Sequence, residues 1–149
     1  MRPEDTIDFY LRWTWAKVSK MYNTEAAQFG GTMAIGFALL NIDIEGTPST
    51  KLGPKMGMEP TSLTRLLKTM EDEKLIQRKP SGADKRVVLV KLTEKGKKMR
   101  DQSRLRVIKF NEFVRSEIPA QKLDNFLEVM KQLNVILEDN HIFDKTINK

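Results

Sequence analysis

Residues 59–96, EPTSLTRLLKTMEDEKLIQRKPSGADKRVVLVKLTEKG, decide how the rest of the chain is read. Glu59-Pro60 opens a helix, because proline in a first turn gives up an N–H that has no intrahelical partner anyway. Leu63, Leu66, Leu67 and Met70 recur at steps of three and four and form its buried stripe, closing on Leu75-Ile76. The other face carries Thr61, Ser62, Thr64, Arg65, Lys68 and Thr69, and no carboxylate stands between Pro60 and Met70. Run to Lys74, the helix is about 22 Å long at roughly 1.5 Å per residue. Leu75-Ile76-Gln77-Arg78-Lys79-Pro80 and the β-branched run Arg86-Val87-Val88-Leu89-Val90-Lys91-Leu92 flank Ser81-Gly82-Ala83-Asp84-Lys85. That pattern predicts a β-hairpin with a basic loop.

Outward from this stretch the chain is helical. Pro48 to Met56 reads as a short polar helix with Leu52 and Met56 inward, and Gly57-Met58 turns it into the next helix. Met33 to Ile44 is almost wholly apolar, as a core helix is, with Thr32 to cap it. Thr6 to Gly30 has Ile7, Tyr10, Leu11, Val18, Met21 and Tyr22 at helical spacing, while Trp13 and Trp15 widen the stripe to a second face. Thr93 caps a long basic helix that Pro119 interrupts, and Ala120 to Glu138 forms the last one. The expected fold is mainly α (α+β): a winged helix-turn-helix at 31–92 with a two-stranded wing, flanked by helices at 1–30 and 93–149 in one domain.

Composition narrows the chemistry. The chain has 149 residues, 40% of them hydrophobic, which suits one domain with a core. No apolar run approaches the roughly 18 residues of a membrane span, and Met1-Arg2-Pro3-Glu4-Asp5 lacks the order of a signal peptide. A cytoplasmic protein is therefore expected. Without cysteine there is no thiolate chemistry, and His141, the one histidine, excludes any site needing two imidazoles from one chain. No catalytic triad, carboxylate pair or phosphate-binding loop assembles from the residues, so neither an enzyme nor a cofactor is expected. The net charge of +6 is concentrated. Residues 47–100 hold 14 basic and 6 acidic side chains, while 1–46 hold 4 and 6, and 101–149 hold 8 of each. A basic middle between neutral or acidic ends points to a polyanion.

A helix fits the major groove, about 12 Å wide. On the 60–74 face the small hydroxyls of Thr61, Ser62 and Thr64 permit close approach, Arg65 suits a bidentate pair with guanine, and Lys68 reaches phosphate. The hairpin brings Arg78, Lys79, Asp84, Lys85 and Arg86, with Arg86 suited to a narrow minor groove. These ten residues form the expected surface for double-stranded DNA. The competing class is a winged-helix module that binds another protein, which the carboxylate-free face disfavours.

The motifs Leu63-Thr64-Arg65-Leu66, Leu75-Ile76-Gln77-Arg78, Asp84-Lys85-Arg86 and Leu92-Thr93-Glu94-Lys95-Gly96 resemble those of the MarR (multiple antibiotic resistance regulator) family of transcriptional regulators. The resemblance implies a homodimer, in its usual form a repressor, on a palindromic operator, with Arg86 in the minor groove and Asp84 orienting it through a salt bridge. It also implies a small-molecule effector, usually an aromatic or lipophilic acid, for which Tyr10, Trp13, Met33 and Phe37 are the expected lining. Absence of cysteine separates the chain from thiol-oxidation sensors, and one histidine separates it from zinc sensors. Two positions depart from the family pattern. Leu52-Gly53-Pro54 replaces the usual Leu-Ala, so that helix is expected to be short, kinked or partly 3₁₀. Glu73-Lys74-Leu75 lacks the glycine that usually ends the recognition helix. Ile7, Tyr10 and Leu11 at one end and Phe126, Met130, Leu133 and Leu137 at the other are the expected dimer surface.

Overall fold

The computed structural model describes residues 1–82, 84–139 and 141–143, with the backbone only of Asp84 and Lys85. They fall into two compact units that part inside one helix, Met1–Val107 and Ile108–Lys149.

The first unit opens with a 3₁₀ turn at Pro3–Asp5 and helix α1, Ile7–Ala27. Helix α2, Met33–Asn41, starts where Thr32 Oγ1 accepts the Ile35 N–H at 3.2 Å. It stops three residues before Ile44, and Thr47–Pro48 forms strand β1. Helix α3, Ser49–Met56, is short as its Gly-Pro pair predicts, yet it stays α across Pro54. Only one interior amide is lost to the ring, and Leu52 and Met56 are buried as expected. Gly57 then takes a left-handed φ of 62°, and Met58 N–H donates back to Gly53 O at 3.0 Å, closing the turn. Helix α4, Pro60–Asp72, has proline in its first turn. Leu63, Leu67 and Met70 are buried and Leu66 half-buried, the stripe read from the sequence.

Strands β2, Ile76–Ser81, and β3, Asp84–Leu92, form the antiparallel hairpin, with Arg78 opposite Val90 and a bulge between Pro80 and Ser81. The sheet has three strands, ordered β1-β3-β2, because β1 adds to the outer edge of the expected pair. Two residues are too few to show a period of two, so this strand escapes sequence reading. Thr47 holds it in place: its buried Oγ1 accepts from Asp43 N–H at 2.9 Å and donates to the Asp43 carboxylate at 3.0 Å. The core joins Leu39 and Ile42 to Leu52, Met70, Leu75, Ile76 and Val90, all fully buried. Each such side chain contributes about 1.5–3 kcal/mol over its exposed state.

Helix α5, Glu94–Glu117, buries Met99 in this core and begins at a close backbone contact with it. Thr93 Oγ1 donates to Lys74 O at 2.7 Å and accepts the Gly96 N–H at 3.0 Å. Thr93 N–H donates to Leu75 O at 3.0 Å. A Cβ at position 96 would lie 2.0 Å from that same Leu75 oxygen, so only glycine fits. The Leu-Thr-x-x-Gly element is thus a cap plus a gap that lets one backbone touch another. In the second unit, α6, Ala120–Leu137, follows Pro119 and buries none of its side chains.

Helix α4 ends without glycine. Lys74 itself adopts φ 60°, with its N–H on Glu71 O at 2.9 Å and the Leu75 N–H on Met70 O at 2.8 Å. An L-residue in this conformation is strained by about 1–2 kcal/mol, against which glycine's extra freedom when unfolded weighs about 0.4–1 kcal/mol. Lys74→Gly is accordingly expected to stabilise the fold by about 0.5–1 kcal/mol in urea denaturation. A lowered midpoint would contradict this.

Candidate nucleic-acid interface and ligand cavity

On α4 the side chains of Thr61, Ser62, Thr64, Arg65 and Lys68 are all exposed on the face opposite the buried leucines. The Thr64 hydroxyl donates to Pro60 O at 2.8 Å, and that of Thr69 to Arg65 O at 3.1 Å. With their protons held by the helix, these hydroxyls offer lone pairs outward and serve as acceptors. Among the described residues neither Arg65 nor Lys68 is held in an ion pair. Lys79 and Arg86 are exposed on the hairpin. The Asp84 salt bridge and the position of the Lys85 side chain lie outside the described residues.

Arg78 is placed differently from its neighbours. Its Nε donates to Glu71 Oε2 at 2.9 Å and its Nη2 donates to the same oxygen, tying strand β2 to the last turn of α4. The hydrogen bond from Arg78, then its charge, holds the Glu71 carboxyl below its ordinary value of 4.5, and the pair pushes Arg78 upward. Arg78 therefore acts first as a brace between helix and wing. The sequence holds the clue in the acidic run Glu71-Asp72-Glu73, whose first member stands seven residues before Arg78.

A second feature is a cavity of about 590 Å³ within the first unit. Met33 and Phe37 line it, together with Trp15, Tyr22, Phe29 and Met58. Tyr10 and Trp13 do not line it. At roughly 100° per residue they sit about 140–200° around α1 from Trp15, whereas Trp15, Tyr22 and Ala26 follow one another at seven and four. Tyr10 and Trp13 instead gather about Phe9, with ring centroids 5.3 Å apart for Phe9–Tyr10 and 6.4 Å for Phe9–Trp13. Spacing by sevens was the signal that separates the two tryptophans. Burial raises the Tyr22 hydroxyl above its ordinary value.

An exposed helix of hydroxyls and cations, braced to a hairpin and backed by two further helices, defines a winged helix-turn-helix protein. The MarR family model matches residues 42–88, which run from the end of α2 into β3. The organic hydroperoxide resistance transcriptional regulator of Bacillus subtilis (strain 168) is 31% identical over 104 residues, covering 69% of this chain and 71% of that protein. The chain belongs to the MarR family and is a DNA-binding transcriptional regulator, not an enzyme. Two solved structures share the fold. The S. aureus MepR–DNA complex has a TM-score of 0.82 at 17% identity, covering 89% of this chain and 98% of that one. PcaV from Streptomyces coelicolor, in complex with its natural ligand, has a TM-score of 0.78 at 15% identity, covering 90% and 95%. No helix among the described residues is long and apolar enough to cross a membrane.

Because the folded pKa of Glu71 is depressed, the brace stabilises the fold at pH above the unfolded value near 4.5 and is lost as pH falls through the lower folded value. Glu71→Gln should therefore be less stable than the wild type at pH 7, with the gap closing as the pH falls below the ordinary carboxyl value of 4.5 and through the lower folded one. A gap that persists unchanged into acid would show that the pair contributes nothing through its charge.

Proposed function

We propose that this regulator is a cytoplasmic homodimer that represses from a palindromic operator and releases it when a small molecule fills the cavity. In this reading residues 31–92 form the DNA-reading part of a single domain, and 1–30 and 93–149 its dimerisation part. Helix α4 lies in the major groove: Arg65 reads a base, Thr61, Ser62 and Thr64 accept from base edges or allow close approach, and Lys68 holds phosphate. Arg86 enters the flanking minor groove with Asp84 beside it, and Lys79 and Lys85 contact the backbone. Arg78 contributes charge there while bracing the wing. The observation that carries the reading is the carboxylate-free, exposed cation-and-hydroxyl face of α4 next to an exposed basic wing.

Apolar surface at both ends of the chain supports the dimer. Tyr10 is 62% exposed and Phe126 54%, Ile7 and Leu137 are exposed too, and Leu11, Met130 and Leu133 are half-covered. Surface of this kind asks for a partner, and a second copy brings two recognition helices one turn of DNA, about 34 Å, apart. MepR was solved on DNA and PcaV with its natural ligand, which supports both halves of the cycle here. The cavity wall includes Met56 and Met58, the residues just before α4. A ligand that binds one setting of that turn more tightly than the other shifts the helix out of register with the groove.

Selection of bound sites from random duplexes, followed by titration against salt, tests the reading. A palindrome is expected, with log K falling by about 0.9 per phosphate neutralised. Arg65→Ala should cost about 1–3 kcal/mol and relax one base position in each half-site. Arg86→Ala should weaken binding without changing stability. No recovered palindrome, together with salt-independent behaviour, would favour the protein-binding alternative. In sedimentation, Phe126→Asp should dissociate the dimer, and an intact dimer would remove α6 from the interface.

A further inference from the structure

The cavity described above has walls of carbon, and its few polar groups are already engaged. Thr32 Oγ1 caps α2. Asn41 Nδ2 donates to Phe37 O at 2.9 Å, and Ser103 Oγ to Met99 O at 2.9 Å. Tyr22 likewise has a partner. Arg106 is the one cation among the lining residues, and three neighbours hold it. Its Nε lies 3.8 Å from Glu25 Oε2, its Nη1 donates to Gln102 Oε1, and its Cζ sits 5.0 Å over the Phe29 ring. Glu25 is itself a lining residue, so the wall carries one positive and one negative charge side by side.

We propose that this cavity selects an uncharged lipophilic ligand of one or two rings and rejects carboxylates, with the Glu25–Arg106 pair as the discriminating element. This rests on the effector reading above and reverses the acid preference that the family resemblance implies. A carboxylate settling against these carbon walls in the half-open cavity gives up part of its hydration, a cost that only a polar partner offsets. Among the described residues the one guanidinium in the lining is already paired with Glu25, whose negative charge beside it would repel a carboxylate. An uncharged lipophile loses little hydration and gains contact with Trp15, Phe29, Met33 and Phe37. The volume of about 590 Å³ lies within the range of small-molecule sites.

The test is calorimetric titration of the full chain at neutral pH with two probes of equal shape, 4-biphenylmethanol and 4-biphenylcarboxylate. The alcohol is expected to bind the wild type at least tenfold more tightly. Glu25→Gln, at a partly exposed position that tolerates the change, should narrow that ratio at least threefold by releasing Arg106 to the carboxylate. Equal or tighter binding of the carboxylate by the wild type, or a ratio unmoved in Glu25→Gln, overturns the charge selection while the cavity stands as a ligand site. Binding of neither probe, or binding of both undiminished when Ala34→Trp fills the wall, overturns the effector reading itself.

Discussion

The contact on which the DNA-reading half depends is the meeting of two backbones at Leu75. Its carbonyl oxygen lies where a side chain on residue 96 would be, and the same oxygen accepts the Thr93 N–H. Leu75 lies between the end of α4 and the first strand of the wing, while Thr93 follows the wing and caps α5. One residue therefore joins three elements within a few ångströms, leaving no slack for α4 to rotate independently of the hairpin. In the proposed reading two grooves are engaged at once, so fixed mutual position matters and a misplaced element would forfeit its contacts. The Glu71–Arg78 pair is a second tie between the same two elements, on their exposed side.

A rigid reading head also clarifies how a distant cavity can matter. The cavity is lined from α1, α2 and α5 and includes Met56 and Met58, immediately before α4. The α3–α4 turn is itself close-packed, since a Cβ on Gly53 would lie 3.3 Å from Met58 O, a tight contact. Packed elements of this kind move as bodies rather than bend, so a ligand acting on the turn acts on α4 and the wing together.

Much of this was legible in the residues. The stripe from Leu63 to Met70, the hairpin after it, Thr32 and Thr93 as caps, and Pro60 in a first turn are all local signals, and they appear in the structure where the sequence puts them. What escaped was set by tertiary contact. Strand β1 is two residues long and exists because β3 offers it an edge. Arg78 reads as one more wing cation until Glu71 is seen across from it. Tyr10 and Trp13 share a helix with the cavity residues but point from another side, which only careful phase counting along α1 separates. Lys74 shows another case: the sequence shows that the usual glycine is missing, and the structure shows Lys74 itself taking the left-handed conformation in its place.

Replacing Gly96 by alanine tests the junction most directly, because two physical effects predict opposite signs. Helix propensity alone predicts that Gly96→Ala stabilises α5 by about 1 kcal/mol. The contact with Leu75 O at 2.0 Å predicts a loss of at least about 2 kcal/mol in urea denaturation, with weakened DNA binding. Gly31→Ala, whose Cβ would meet only ordinary contacts at 3.4 Å, is the control and should change stability by less than about 1 kcal/mol. A stabilised Gly96→Ala, or one that matches the control, would contradict the account.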